Sequence, residues 1–95
     1  MQDYILEICA DSAESAIAAE KGGATRLELC QNLIIGGTTP GPKLFEIVRH
    51  AVELPVHVLI RPSFGDFCYS DYEMEQIKEE IKMFRELGAV GVVIG

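Results

Sequence analysis

The sequence has no apolar run long enough to cross a bilayer. Its hydrophobic stretches are broken by Glu7, Glu28 and Arg61, well short of the roughly 20 residues a spanning helix needs. It also lacks a basic leader: Met1-Gln2-Asp3-Tyr4 runs directly into a strand-like segment. No secretory signal and no membrane are therefore expected, and a soluble, cytoplasmic chain follows. No segment gathers lysine and arginine into a stripe, and 15 acidic against 8 basic side chains give a formal charge of -7. Such a chain repels a polyphosphate backbone, which argues against nucleic acid as a partner. Cysteine is sparse and odd in number, three in all, with no Cys-x-x-Cys and no Cys/His run. Cys9, Cys30 and Cys68 are accordingly expected as thiols rather than as a disulfide framework.

What is present is enough apolar material for a core: 48% of the 95 residues are hydrophobic, which allows one domain at most. Strand-like segments at Tyr4 to Cys9, Arg26 to Cys30, Val56 to Arg61 and Val90 to Ile94 alternate with three helical ones. The first helix is predicted to be capped by an acidic box, Asp11 with Glu14, and to end at Gly22-Gly23, burying Ala13, Ala16, Ile17 and Ala19. The second opens at Pro42 and carries Leu44, Ile47, Val48, Ala51 and Val52 on one face. The third follows the cap Ser70-Asp71-Tyr72-Glu73, places Met74, Ile77, Ile81, Phe84 and Leu87 at helical steps, and stops at Gly88. Alternating strands and helices imply parallel strands joined by right-handed crossovers, either a closed (β/α)8 barrel or an open doubly wound sheet.

Side-chain alternation favours the barrel. Leu6 and Ile8 oppose Glu7 and Cys9; Leu27 and Leu29 oppose Arg26, Glu28 and Cys30; Val58 and Ile60 oppose His57 and Arg61. Central strands of a doubly wound sheet would be apolar on both faces. Here an aliphatic face meets helices and an ionisable face meets a barrel interior. Charges there must pair, so Glu7 and Arg26, deep along their strands, read equally well as structural ion pairs. Cys9, Cys30 and Arg61 stand at carboxyl ends, where barrel active sites gather.

Several segments together resemble the CutC family of copper homeostasis proteins, and the match runs nearly end to end. They are Leu6-Glu7-Ile8-Cys9-Ala10, then Gly22-Gly23-Ala24 leading into Arg26-Leu27-Glu28-Leu29-Cys30, then Gly36-Gly37-Thr38-Thr39-Pro40. Pro55-Val56-His57-Val58-Leu59-Ile60-Arg61-Pro62 follows, with Gly65-Asp66-Phe67-Cys68-Tyr69-Ser70, Glu86-Leu87-Gly88-Ala89 and Gly91-Val92-Val93-Ile94-Gly95. The resemblance implies a cytoplasmic TIM-type barrel with a role in copper handling. The family often continues Arg-Pro with Arg and Gly; this chain has Ser63 and Phe64, so the second arginine of an anion site is missing. A complete barrel takes about 200 to 250 residues. Residues 1–95 are therefore expected to be the amino-terminal half of one barrel domain, either assembling with another copy or complemented by the other half.

Two chemistries suit these residues. Cys9 and Cys30 end neighbouring strands and offer soft sulfur to Cu(I), with Cys68 a possible third donor. The alternative is an enzyme acting on a small anionic substrate at the barrel mouth. Arg61 would be its clamp, Glu7 or Glu28 its base, His57 an acid-base partner, and Arg26, Asp66 and Tyr69 further substrate contacts. Gly36-Gly37-Thr38-Thr39 would offer backbone amides to a phosphate, or else only a tight turn. No lysine lies on an inward strand position, which weakens a Schiff-base mechanism. His57 reads as well as a hydrogen-bonded core group, His50 as surface, and Glu73, Glu75, Glu79 and Glu80 with Lys78 and Lys82 as a solvated helix face. An exposed sheet edge would also suit a structural or interaction protein.

Overall fold

A computed structural model of the protein describes residues 4–62 and 69–94. Strand β1 (Glu7–Ala10) leads through helix α1 (Ala13–Lys21) to β2 (Arg26–Leu29). A short 3-10 turn (Leu33–Ile35) precedes α2 (Pro42–Ala51), β3 (Val56–Ile60), α3 (Asp71–Leu87) and β4 (Gly91–Ile94). The strands form one parallel sheet in the order β1-β2-β3-β4. Each crossover adds its strand to the same side of the last one, with no reversal of direction. A doubly wound sheet turns back at a switch point, so this winding is that of a (β/α)8 barrel, present as four of its strands.

Local signals explain most boundaries. At α3 the Ser70 hydroxyl accepts from the Glu73 amide while the Glu73 carboxylate accepts from the Ser70 amide, the reciprocal box read from the sequence. Its stop, Gly88, has φ +105°, and an added Cβ would lie 2.6 Å from Arg49 Cζ. The backbone therefore requires glycine there, whereas the Arg49 guanidinium is the end of a flexible side chain that can move. At α1 the cap differs from expectation: Ser12 pairs with Ser15, not Asp11 with Glu14. One Ser15 Oγ accepts from the amides of both Asp11 and Ser12, so it satisfies two orphan donors at once. The strands are also shorter than predicted by one or two residues, and β1 is shifted, starting three residues later at Glu7 and ending one later at Ala10, so that Tyr4 and Ile5 precede the paired ladder.

The core lies between the sheet and its helices. Ala10, Leu27, Leu29, Val56, Val58 and Ile60 pack against Ala16, Phe45, Val48, Ile77 and Phe84. Phe45 and Phe84 meet edge to face, centroids 5.6 Å apart, a favoured aromatic geometry. That pair rotates α2 relative to the predicted face: Phe45, Val48 and Val52 are buried while Ile47 is 58% exposed and Ala51 is exposed. On α3, Ile77 and Phe84 are buried and Met74 is exposed.

Candidate functional site

The other sheet face carries the ionisable groups, and the register sorts them into levels. Glu7 stands beside Arg26, and the Arg26 Nε donates to Glu7 Oε2 in an ion pair. One step towards the carboxyl ends, Cys9, Glu28, His57 and Gly91 line up across all four strands. The Cys9 thiol donates to Glu28 Oε2 at 3.5 Å. The His57 ring lies over Gly91, where an added Cβ would come 2.7 Å from His57 Cδ2. His57 Nδ1 is buried with no hydrogen-bond partner among the described residues.

Cys30 sits beyond the paired part of β2, its amide and thiol both donating to Ala10 O. It is therefore two residues further along than Glu28, the neighbour of Cys9. A parallel-strand geometry makes that diagonal about 8 Å between Cα atoms, too long for a disulfide without backbone movement. The two thiols therefore share a face of the sheet but are not level across it. Burial raises the Cys9 pKa, helped by the Glu28 charge and hydrogen bond. Burial likewise pushes Cys30 up to about 11, with the charges of Cys9, Glu28 and Asp11 adding to it. Both groups are thus thiols at neutral pH.

Arg61 follows β3 and is buried, 9% exposed. Its Nη1 donates to Gly37 O at 3.1 Å and to Ile35 O at 3.4 Å, bracing the β2–α2 loop. In that loop the amides of Gly36, Gly37, Thr38 and Thr39 donate to Leu33 O, Asn32 O, Gln31 O and Arg61 O respectively. All four are engaged within the fold, so the tight-turn reading of Gly36-Gly37 holds and the phosphate cradle does not. Gly36 and Gly37 have φ +91° and +94°, which explains the glycines.

The predicted substrate residues are thus not gathered at one point. His57 and Arg26 border a hollow of ≈ 440 Å³ with Tyr4, Ile5 and Val90 at the amino ends of the strands. Arg61 borders a separate cleft of ≈ 360 Å³ with Thr38, Thr39, Gln76 and Glu80 at the carboxyl ends. Tyr69 packs against the apolar core, and Asp66 and Cys68 lie outside the described residues. His50 is exposed, as expected. Glu80, expected on the solvated face of the third helix, does not belong to it. It is half-buried, its Oε1 has no partner among the described residues, and burial raises its pKa against the effect of a Gln76 hydrogen bond. The only hint in the sequence was its i+3 spacing from Ile77, on the buried stripe. Among the described residues no three His, Cys, Asp or Glu side chains converge as metal ligands. No helix there is long and apolar enough to cross a membrane.

Comparison with known proteins places this arrangement. The profile of the CutC family matches residues 4–95. The copper homeostasis protein cutC homolog of Mus musculus is 49% identical over 92 residues, covering 97% of this chain and 34% of that protein. The CutC family protein of Porphyromonas gingivalis is 50% identical over 90 residues, 95% of this chain and 36% of that one. The chain thus spans about a third of the length of the curated relatives it matches. A crystal structure of the putative copper homeostasis protein CutC from Streptococcus agalactiae superimposes with a TM-score of 0.86 at 35% identity. It covers 97% of this chain and 46% of that one.

Proposed function

Because this chain belongs to the CutC family, we propose that it serves copper homeostasis, with Cu(I) as cargo held by the thiols Cys9 and Cys30. The names of its relatives support the first part. The observation that carries the second is the placing of two soft sulfurs on one ionisable sheet face, with Glu28 beside the first of them. Soft thiolates select Cu(I), the ion a reducing cytosol supplies. A metal that displaces the thiol protons would leave Glu28 beside the thiolates, a carboxylate well placed to take one of them. The offset between the sulfurs calls for side-chain adjustment on loading. Competition for Cu(I) against a chelator tests the reading: Cys9→Ser and Cys30→Ser should each weaken binding at least tenfold, and unchanged affinity in both would remove the site.

A small anionic substrate is the second reading, and the cleft that Arg61 shares with Thr38, Thr39 and Glu80 favours it. In the whole assembly residues 1–95 act as the amino-terminal half of a single TIM-type barrel, closed by another copy or by the complementary half. The cytoplasm is the proposed location. The charge of -7 supports a partner set without nucleic acid or membrane.

A further inference from the structure

The cleft at the carboxyl ends of the strands is lined from three directions. The β2–α2 loop supplies Asn32, Thr38 and Thr39, the end of β3 supplies Arg61 and Pro62, and α3 supplies Gln76 and Glu80. The Thr38 hydroxyl accepts from Asn32 Nδ2 at 2.9 Å, and the Thr39 hydroxyl accepts from the Arg61 amide at 2.7 Å. Each hydroxyl thus has its acceptor role filled and donates to nothing among the described residues, which leaves two O–H groups for whatever enters. Arg61, 9% exposed, sets a permanent positive charge in the wall. Hydroxyl donors beside a buried guanidinium are the chemistry that receives an oxyanion.

Glu80 runs against that chemistry, because an ionised carboxylate would repel the anion that the rest of the cleft receives. Its Oε1 is buried and has no hydrogen-bond partner among the described residues. Burial raises its pKa, opposed by a Gln76 hydrogen bond and without help from any charged neighbour. Among the described lining residues Arg61 and Glu80 are the only charged groups, the loop and α3 otherwise contributing neutral amides and hydroxyls. Lys43 and Lys82, on the flanking helices, pair with Glu46 and Glu79 outside the cleft. The conflict disappears when Glu80 carries a proton, since a carboxylic acid is a donor and an oxyanion within reach gives it the partner it lacks. Resting on the anionic-substrate reading above, we propose that the Arg61 cleft takes a small oxyanion together with one proton, which resides on Glu80 and is donated in a hydrogen bond to an anion oxygen. The proton comes from solvent and no covalent bond of the anion changes. The sign follows: above the pKa of free Glu80 each anion bound requires a proton, so affinity should fall by up to roughly tenfold per pH unit.

Sulfate is the probe, because it stays a dianion from about pH 5 to 8 and its own protonation therefore adds nothing to the linkage. Calorimetry on the full chain at constant ionic strength should show affinity falling at least roughly tenfold across that range. Heats in two buffers of different ionisation enthalpy should report proton uptake at neutral pH, and amide shifts should locate the anion at Thr38, Thr39 and Gln76. Glu80→Gln keeps a donor and removes the titration, so it should bind sulfate equally at both ends of the range and without proton uptake. Sulfate held at this cleft with one affinity throughout, or a pH dependence that Glu80→Gln retains, would overturn the proton coupling and leave the anionic reading standing. Loss of binding in Glu80→Gln would also overturn it, by making the carboxylate charge itself the requirement. Absence of sulfate binding at every pH, or shifts elsewhere, would overturn the anionic reading and the proposal together.

Discussion

Glu28 stands next to the Cys9 thiol and contributes to the raised pKa of both cysteines. Glu28→Gln removes a negative charge near each sulfur, so both pKa values should fall and Cys9 should alkylate faster at pH 8; an unchanged rate would refute the coupling. The sign for stability follows from Cys30. Its pKa is about 11 against 9.0 for an ordinary thiol, so between those values the folded state binds more protons than the unfolded one. Stability should therefore be full below pH 9 and fall as pH rises towards 11, by up to roughly 2 kcal/mol. Denaturant titrations at pH 8 and 10.5 measure it, and Cys30→Ala should flatten the difference. The residue scale was the least legible in the sequence. The polar identity of Glu28 and Cys30 was readable from alternation, but a register offset of two residues depends on how loops set the strands, which no local pattern encodes.

At the scale of elements, neighbouring residues compete for one role and tertiary packing decides. Asp11 and Ser12 are both good caps; the structure gives Ser12 the Ser15 amide at 3.0 Å. Ser12→Ala should cost about 1 kcal/mol, whereas Asp11→Ala should lie within the small range of surface changes. Equal losses in thermal unfolding would show that the cap is shared. The α2 face was misjudged by the same route, because two overlapping apolar stripes were available and the Phe45–Phe84 contact fixed the choice between them. At β4, Gly91→Ala would force the His57 ring aside, at a cost of about 1–3 kcal/mol typical of overpacking. Adding His57→Ala should relieve most of that loss, and purely additive effects would contradict the contact. The bounds of helix α3, set by its reciprocal cap and glycine stop, were legible because each of those signals is local, while Met74 and Glu80 exchanged the faces their spacing suggested.

Across the whole molecule, the parallel winding and the division of the sheet into two faces were readable from period-two alternation. What covers the outermost strands was not. Tyr4, Ile5 and Ile8 around β1, and Val90, Val93 and Ile94 around β4, remain exposed, and both edges present backbone groups for pairing. The three helices pack on the one apolar core, which leaves these flanking aliphatics for another body to bury. Sedimentation of the isolated chain should therefore show association that a complementary half barrel suppresses, and a monomer at all concentrations would contradict this. The ionisable face and its thiols are the centre of the functional account, and copper K-edge absorption of the Cu(I)-loaded chain examines them most directly. Sulfur should occupy the first shell and be lost from it when Cys9 and Cys30 are both serine. A first shell of nitrogen and oxygen alone, or a sulfur count unchanged in that double variant, would contradict it.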